Sequence, residues 1–291
     1  MSAERTFIDS LKSLASDPAA RGLTDDCAVL EIGGEALVLT HDMLVEGVHV
    51  PLGADPADVA WKLVATNLSD LAAKGARPLG VLVGHMLGDG DDRFAEGLGE
   101  VLSRYEVPLL GGDTVSGGSP RSWGLTAIGR AMHRPVPSRA GARPGDAVWI
   151  TGPLGAAMMG FEALRDGTGG DSSAYRRPTP RLAEGEALAP LASAMMDISD
   201  GFLLDASRMA EASGVTLALD SSAVPFAAPE DRRDEALRWG DDYELLVTLP
   251  AGVEPAVKAW RIGDVVAFRS TPVLLDGAAP GGSLGYEHRQ P

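Results

Sequence analysis

Residues 27–32 (CAVLEI) and 36–41 (ALVLTH) are short, mainly apolar runs of strand length. Gly33-Gly34 between them reads as a two-residue hairpin turn. A helical period follows. Residues 56–75 (PADVAWKLVATNLSDLAAKG) place Val59, Leu63, Leu68 and Leu71 at helical spacing, with Pro56 at the start and Gly75 at the end. On that helix Asn67 and Asp70, three residues apart, share a face. Residues 79–87 and 107–110 read as strands flanking a helix near 92–105, and residues 122–131 as a further strand ending near Arg130.

The segment HRPVPSRAGARPGD, residues 133–146, is rich in Pro, Gly and Arg and reads as a linker between two domains. The expected division is residues 1–137, an N-terminal half, and 138–291, a second α/β half. In the second half the same alternation predicts strands at 147–151, 215–219 and 243–249 and helices at 155–166, 181–194 and 201–213. Helices and strands interleaved in this way predict mixed α/β construction.

Composition narrows the partners. The 291 residues carry a formal charge of -16, which argues against nucleic acid or an anionic membrane surface as the main partner. The first residues, MSAERTFIDSLKSL, are amphipathic without an apolar signal core, and no apolar run reaches the length of a membrane span. A single cysteine, Cys27, excludes an intrachain disulfide, so a cytoplasmic setting is expected.

The acidity is not evenly spread. Thr24-Asp25-Asp26, Thr40-His41-Asp42, Asn67-Leu68-Ser69-Asp70, Gly111-Gly112-Asp113-Thr114 and Asp197-Ile198-Ser199-Asp200-Gly201 set aspartate among small polar residues. Most follow strand-like runs, which predicts carboxylates at strand ends. If these segments converge, the site needs cations, and hard oxygen ligands suit Mg²⁺ completed by substrate phosphates. Ser199 or Asp200 is also placed to cap the helix that follows. Neither G-x-x-x-x-G-K-[ST] nor G-x-G-x-x-G after a strand is present, and the only lysines are Lys12, Lys62, Lys74 and Lys258. Bound ATP would therefore be held mainly by metals and backbone amides.

Taken in order, GLTDDCAVL, LTHDMLVEGVHV, NLSDLAAKGARP, LLGGDTVSG, IGRA, RPTPR (177–181), MDISDGFLLD and GDDYELL closely resemble the thiamine-monophosphate kinase family, from about residue 20 to 250. The resemblance implies a two-domain aminoimidazole ribonucleotide synthetase-like fold whose N-terminal sheets pair across a homodimer. It implies direct transfer of the γ-phosphate of ATP to thiamine monophosphate. Matched motif by motif, Asp26, Asp42, Asp70, Asp113, Asp197 and Asp200 would hold Mg²⁺, assisted by Thr40. Gly112, Asp113, Arg130 and Ser199 would contact ATP, and His49, Asp241 and Tyr286 the thiamine phosphate. No side chain is assigned as a catalytic acid or base.

The chain departs from the family pattern at Thr24, where glycine is usual, at His41, where a hydroxyl residue is usual, and at Asp241, where glutamate is usual. Two other readings stay open: a same-fold ATP-dependent enzyme with another small-molecule acceptor, and a non-catalytic protein that binds nucleotide or thiamine phosphate.

Overall fold

The computed structural model describes residues 3–288. Two sheets, each with one parallel pair, organise the chain. The first contains β1 (Ala28–Ile32), β2 (Glu35–Val45), β3 (Ala76–Leu87), β4 (Leu109–Ser116) and β5 (Ser122–Ala131) in the order β1-β2-β5-β3-β4. Only β3 and β4 run parallel. Around it lie α1 (Ala3–Leu11), α2 (Pro56–Ala72) and α3 (Asp91–Tyr105).

The second sheet contains β6 (Ala147–Ile150), β7 (Ala194–Asp197), β8 (Val215–Leu219), β9 (Leu245–Leu249), β10 (Trp260–Ala267) and β11 (Val273–Leu275), in the order β11-β8-β10-β6-β9-β7. Its helices are α4 (Ala156–Arg165), α5 (Ser173–Arg176), α6 (Leu182–Leu188), α7 (Phe202–Ser213) and α8 (Arg233–Ala236). No helix among the described residues is long and apolar enough to cross a membrane.

The sequence reading needs three corrections. The expected helix 181–194 stops at Leu188, and residues 194–197 instead pair with β9 as a fully buried strand. A short apolar run such as AMMD has no periodicity to separate strand from helix, so pairing decides. Gly111-Gly112-Asp113-Thr114 lies inside β4, not in a turn after it. β10 was not read at all, because Arg261, Gly263 and Asp264 interrupt its apolar pattern where the strand bulges.

Helix α2 positions everything else. The Asp55 side chain caps its start by accepting from the Ala57 amide at 3.0 Å. All of its residues except Pro56 and Trp61 are buried. Val59, Leu63, Leu68 and Leu71 join the core beneath the first sheet, while Ala72 packs with Trp149, Leu188, Met195 and Val247 against the second. A polar row on the same helix ties the halves together. Asp58 pairs with Arg176 and Arg177, both at 2.5 Å. Lys62 pairs with Asp241 at 2.9 Å, and Ser69 donates to Asp197 at 2.6 Å. Positions 58, 62 and 69 fall on one face because they are separated by whole turns.

The closest backbone approach along this seam is at Gly185 of α6, where an added Cβ would stand 2.0 Å from the carbonyl oxygen of Ala72. Gly185→Ala is therefore expected to destabilise the protein by roughly 1–3 kcal/mol. Urea unfolding checks this; an unchanged midpoint would mean the seam gives way freely.

Candidate active site

The α2 seam opens into a cleft of about 830 Å³ lined by residues of both halves. From the first half come Asp26, Asp42, His49 and Asp70; from the second come Asp197, Ser199, Asp200, Asp241 and Tyr286. At its floor single carboxylate oxygens of Asp26, Asp70 and Asp197 lie within 4.8 Å of one another. Each reaches that point from a different element. Asp26 precedes β1, Asp70 lies in the last turn of α2, and Asp197 ends β7.

Strand ends do not explain them all, contrary to the sequence expectation. Asp42 lies within β2, its amide donating to Asn67 Oδ1 of α2 at 3.1 Å. Asn67 and Asp70 therefore do face one way, toward β2. Thr40, one pleat along the same strand, is buried and donates to Asp70.

Crowding shows in the proton affinities. Burial, then the charges of Asp26 and Asp200, pushes Asp42 up to about 6. Burial and Asp26 push Asp197 up to about 8, against the hydrogen bond from Ser69. Burial followed by Asp42 and Asp197 holds Asp70 well above the usual carboxylate range. Two unit charges 4.8 Å apart repel by about 3 kcal/mol at an effective dielectric of 20.

Other carboxylates are already matched by protein cations that the sequence reading did not assign. Lys74, fully buried, contacts Asp25 at 2.5 Å and Asp26 at 2.7 Å. Burial opposes its charge, but Asp26 and Asp25 outweigh that and hold it protonated. Arg139 contacts Asp26, and Arg21 contacts Asp25 at 2.6 Å. Burial would raise Asp25, yet the Lys74 and Arg21 charges leave it below the ordinary range. Arg208 pairs with Asp200 at 2.5 Å and with Asp205 at 2.9 Å. The sequence signals for these residues were weak: a lysine in AAKGARP and an arginine inside the linker look like surface charges.

Neither Ser199 nor Asp200 caps α7. The cap position is Gly201, at φ 118°, without a side-chain hydrogen bond. Instead Asp205 reaches back and accepts from the amides of Ser199 and Asp200, each at 3.0 Å. The Asp200 carboxylate is thereby left at the cleft.

His49, Asp241 and Tyr286, expected at the thiamine phosphate, line the cleft together. His49 accepts from the Val45 amide through Nδ1 at 3.0 Å, and burial followed by nearby His288 lowers its proton affinity. Tyr286 is anchored by its amide on the Asp200 carbonyl at 2.8 Å. Phe161, Tyr175 and Trp239 add aromatic surface, with the Phe161 ring 5.2 Å from Tyr175 and 5.3 Å from Trp239.

Three expected residues stand elsewhere. Arg130 is half-exposed at the end of β5 and pairs with Glu35 at 2.6 Å. Gly112 and Asp113 lie on β4, exposed along its whole length. Gly112 shares a row with Asp42 through Val83 and Leu125, three strand spacings or about 14 Å away. His41, the departure from the hydroxyl pattern, contacts Thr126 Oγ1 through Nδ1 at 2.9 Å and leaves Asp42 free.

Two sheets joined by a central helix, with an acidic cleft at their seam, define a class. Residues 24–131 match the AIR synthase related protein N-terminal domain, and residues 143–267 the corresponding C-terminal domain. Thiamine-monophosphate kinase of Escherichia coli (strain K12) is 36% identical over 267 residues, covering 84% of this chain and 80% of its own length. That of Caulobacter vibrioides is 36% identical over 292 residues, covering 90% and 83%. The solved structure of AaThiL complexed with AMPPCP and TMP superposes with a TM-score of 0.87 at 29% identity, covering 97% of this chain and 96% of its own. The chain belongs to the thiamine-monophosphate kinase family.

Raised carboxyls have a measurable consequence. Asp42 and Asp197 titrate at 3.8 when unfolded but at about 6 and about 8 when folded. The folded protein thus holds extra protons between those limits, and their stabilisation is lost as pH rises through the folded values. Asp25 and Asp26, shifted downward, contribute in the opposite sense only in more acid solution. Metal-free protein is expected to melt at progressively lower temperature from about pH 5 to about pH 8, with added Mg²⁺ abolishing the decline. A flat metal-free profile would contradict the crowded-carboxylate picture.

Proposed function

We propose that this protein transfers the γ-phosphate of ATP to thiamine monophosphate, giving thiamine diphosphate and ADP. The observation that carries the reading is the floor of the cleft, where Asp26, Asp70 and Asp197 from both halves converge within 4.8 Å. Family membership supports it, as does the likeness to a relative complexed with AMPPCP and TMP. A single buried thiol, Cys27, accords with a reducing cytoplasm as the place of reaction.

The donor set fits magnesium. Asp42, Asp70 and Asp197 are hard oxygen donors whose proton affinities are raised by burial and mutual repulsion, with no protein cation in contact among the described residues. Asp26 and Asp200 stand beside them, with Thr40 orienting Asp70. Bound there, Mg²⁺ would neutralise these carboxylates together with the phosphate oxygens, the main electrostatic requirement of phosphoryl transfer.

The chain's own residues do the positioning. Arg139 and Arg208 place fixed positive charge on the cleft wall, where polyphosphate would otherwise meet only carboxylate. Ser199 and Asp200 are held by Asp205 at the start of α7, which orients the loop toward the cleft. His49, Asp241 and Tyr286 face the space left for the organic end of the acceptor. No strong general base is required, because the attacking atom is a phosphate oxygen already largely ionised near neutral pH. In-line approach of the two phosphates is the contribution asked of the protein.

A homodimer completes this reading. The outer face of the first sheet exposes Met43, Leu82, Leu109, Leu110 and Val115, and β4 leaves an unpaired edge. Contiguous apolar surface beside an open strand edge favours sheet-to-sheet association. Pairing there would bring Gly112 and Asp113 of the partner subunit to the nucleotide end of the cleft, bridging the ~14 Å that separates them from Asp42 within one chain.

Incubation with ATP, Mg²⁺ and thiamine monophosphate should yield thiamine diphosphate and ADP in equal amounts; absence of both sinks the proposal. Asp70→Asn should lower turnover by about 100-fold or more. The same change should leave the metal-free melting temperature equal or higher, because it removes a buried carboxyl whose ionisation Asp42 and Asp197 oppose. A variant that stays active takes Asp70 out of the site. Shared sites are tested by co-folding Asp42→Asn with Asp113→Asn, each inactive alone. Random pairing should restore about a quarter of wild-type activity, whereas unshared sites would restore none.

A further inference from the structure

Lys62 has no role in the site described above, yet it sits at the seam beside the acceptor-facing residues. Its side chain is 2% exposed. The ammonium donates to Asp241 Oδ2 at 2.9 Å and to the His49 carbonyl at 3.2 Å, and lies 3.8 Å from the centroid of the Tyr175 ring. Tyr175 donates its hydroxyl to the same His49 carbonyl at 3.0 Å. Three segments distant in sequence therefore meet on one charge: the loop after β2, the turn at α5, and the loop before β9.

Asp241 is held equally firmly from its own side. Its Oδ1 accepts from Tyr243 at 2.9 Å, its amide donates to the Ser199 carbonyl at 2.8 Å, and its φ of 67° is left-handed. With Oδ2 on Lys62 and Oδ1 on Tyr243, the short carboxylate cannot swing freely toward a ligand. A buried ammonium is costly unless every donor finds a partner. Bulk packing alone would be served as well by methionine. On the far side of Lys62 and Tyr175 lies a mainly apolar cavity of about 710 Å³, and Val48, Phe161 and Tyr175 border both it and the acidic cleft.

We infer that Lys62 is a positioning residue for the acceptor, a buried cation on α2 that locks Asp241 and the His49 loop into one wall of the cleft. This rests on the kinase reading above. The lysine reaches to the short acid and fixes it, so the wall keeps its shape. The nucleotide end of the cleft, around Asp26, Asp42 and Arg208, receives no contact from Lys62.

The test compares Lys62→Met, Lys62→Arg, Asp241→Asn and the Lys62→Met/Asp241→Asn double variant by steady-state kinetics and melting. Lys62→Met should raise KM for thiamine monophosphate about 10-fold while KM for ATP stays within about 2-fold. Lys62→Arg, which keeps the charge, should give a smaller rise. The double variant should be no worse than about 2-fold beyond the poorer single variant, because the two residues act as one unit. Equal losses for both substrates would mark a merely structural strut and overturn the inference, as would multiplicative single effects or an unmoved acceptor KM. Should Lys62→Met not fold, Lys62→Arg and Asp241→Asn give the same readout. Wild-type protein that forms no thiamine diphosphate would sink the kinase reading instead, a result separable from an active wild type with indifferent variants.

Discussion

Carboxylates brought together in a buried cleft repel one another, and the fold holds them there regardless. Asp42, Asp70 and Asp197 come from a strand of one sheet, the central helix and an edge strand of the other sheet. No one of these elements could relax without disturbing the core it belongs to. The energy of the surrounding apolar packing keeps the charges close, and their raised proton affinities record the strain. A divalent cation placed there would relieve a repulsion already built in. Preorganised charge of this kind costs no rearrangement when phosphates arrive.

The protein also supplies its own cations, and they are distributed unevenly. Lys74, Arg139 and Arg21 neutralise the Asp25-Asp26 pair, and Arg208 serves Asp200 and Asp205. Among the described residues, Asp42, Asp70 and Asp197 have none in contact. The charged groups thus divide into a part balanced internally, which steadies the walls, and a part that a bound cation would balance. Lys62 repeats the internal pattern at the seam, where it pairs with Asp241.

Much of this was legible from residues alone. The hairpin around Gly33-Gly34, the helix 56–75, and the strands at 79–87, 122–131 and 215–219 follow strong local periodicity, and the structure places elements over each of them. The acidic motifs pointed to carboxylates that converge, and Asp26, Asp70 and Asp197 do meet at the cleft floor. What could not be read was pairing in space. AMMD became a strand because β9 offers it an edge, and GGDT became part of a strand because β3 runs beside it. Lys62, Lys74 and Arg139 looked like ordinary surface charges, since burial of a cation depends on partners that arrive from elsewhere in the chain. Arg130 and Asp113 carried motif signals, but a single subunit sets both apart from the cleft.

Titration calorimetry of Mg²⁺ binding, repeated in buffers of different ionisation enthalpy, addresses the central claim most directly. Metal entry into a site of crowded, partly protonated carboxylates must displace protons. Near pH 6.5 about one proton or more should be released per protein at saturation, and fewer near pH 9 as Asp42 and Asp197 ionise unaided. Tight Mg²⁺ binding without proton release near pH 6.5 would contradict the account.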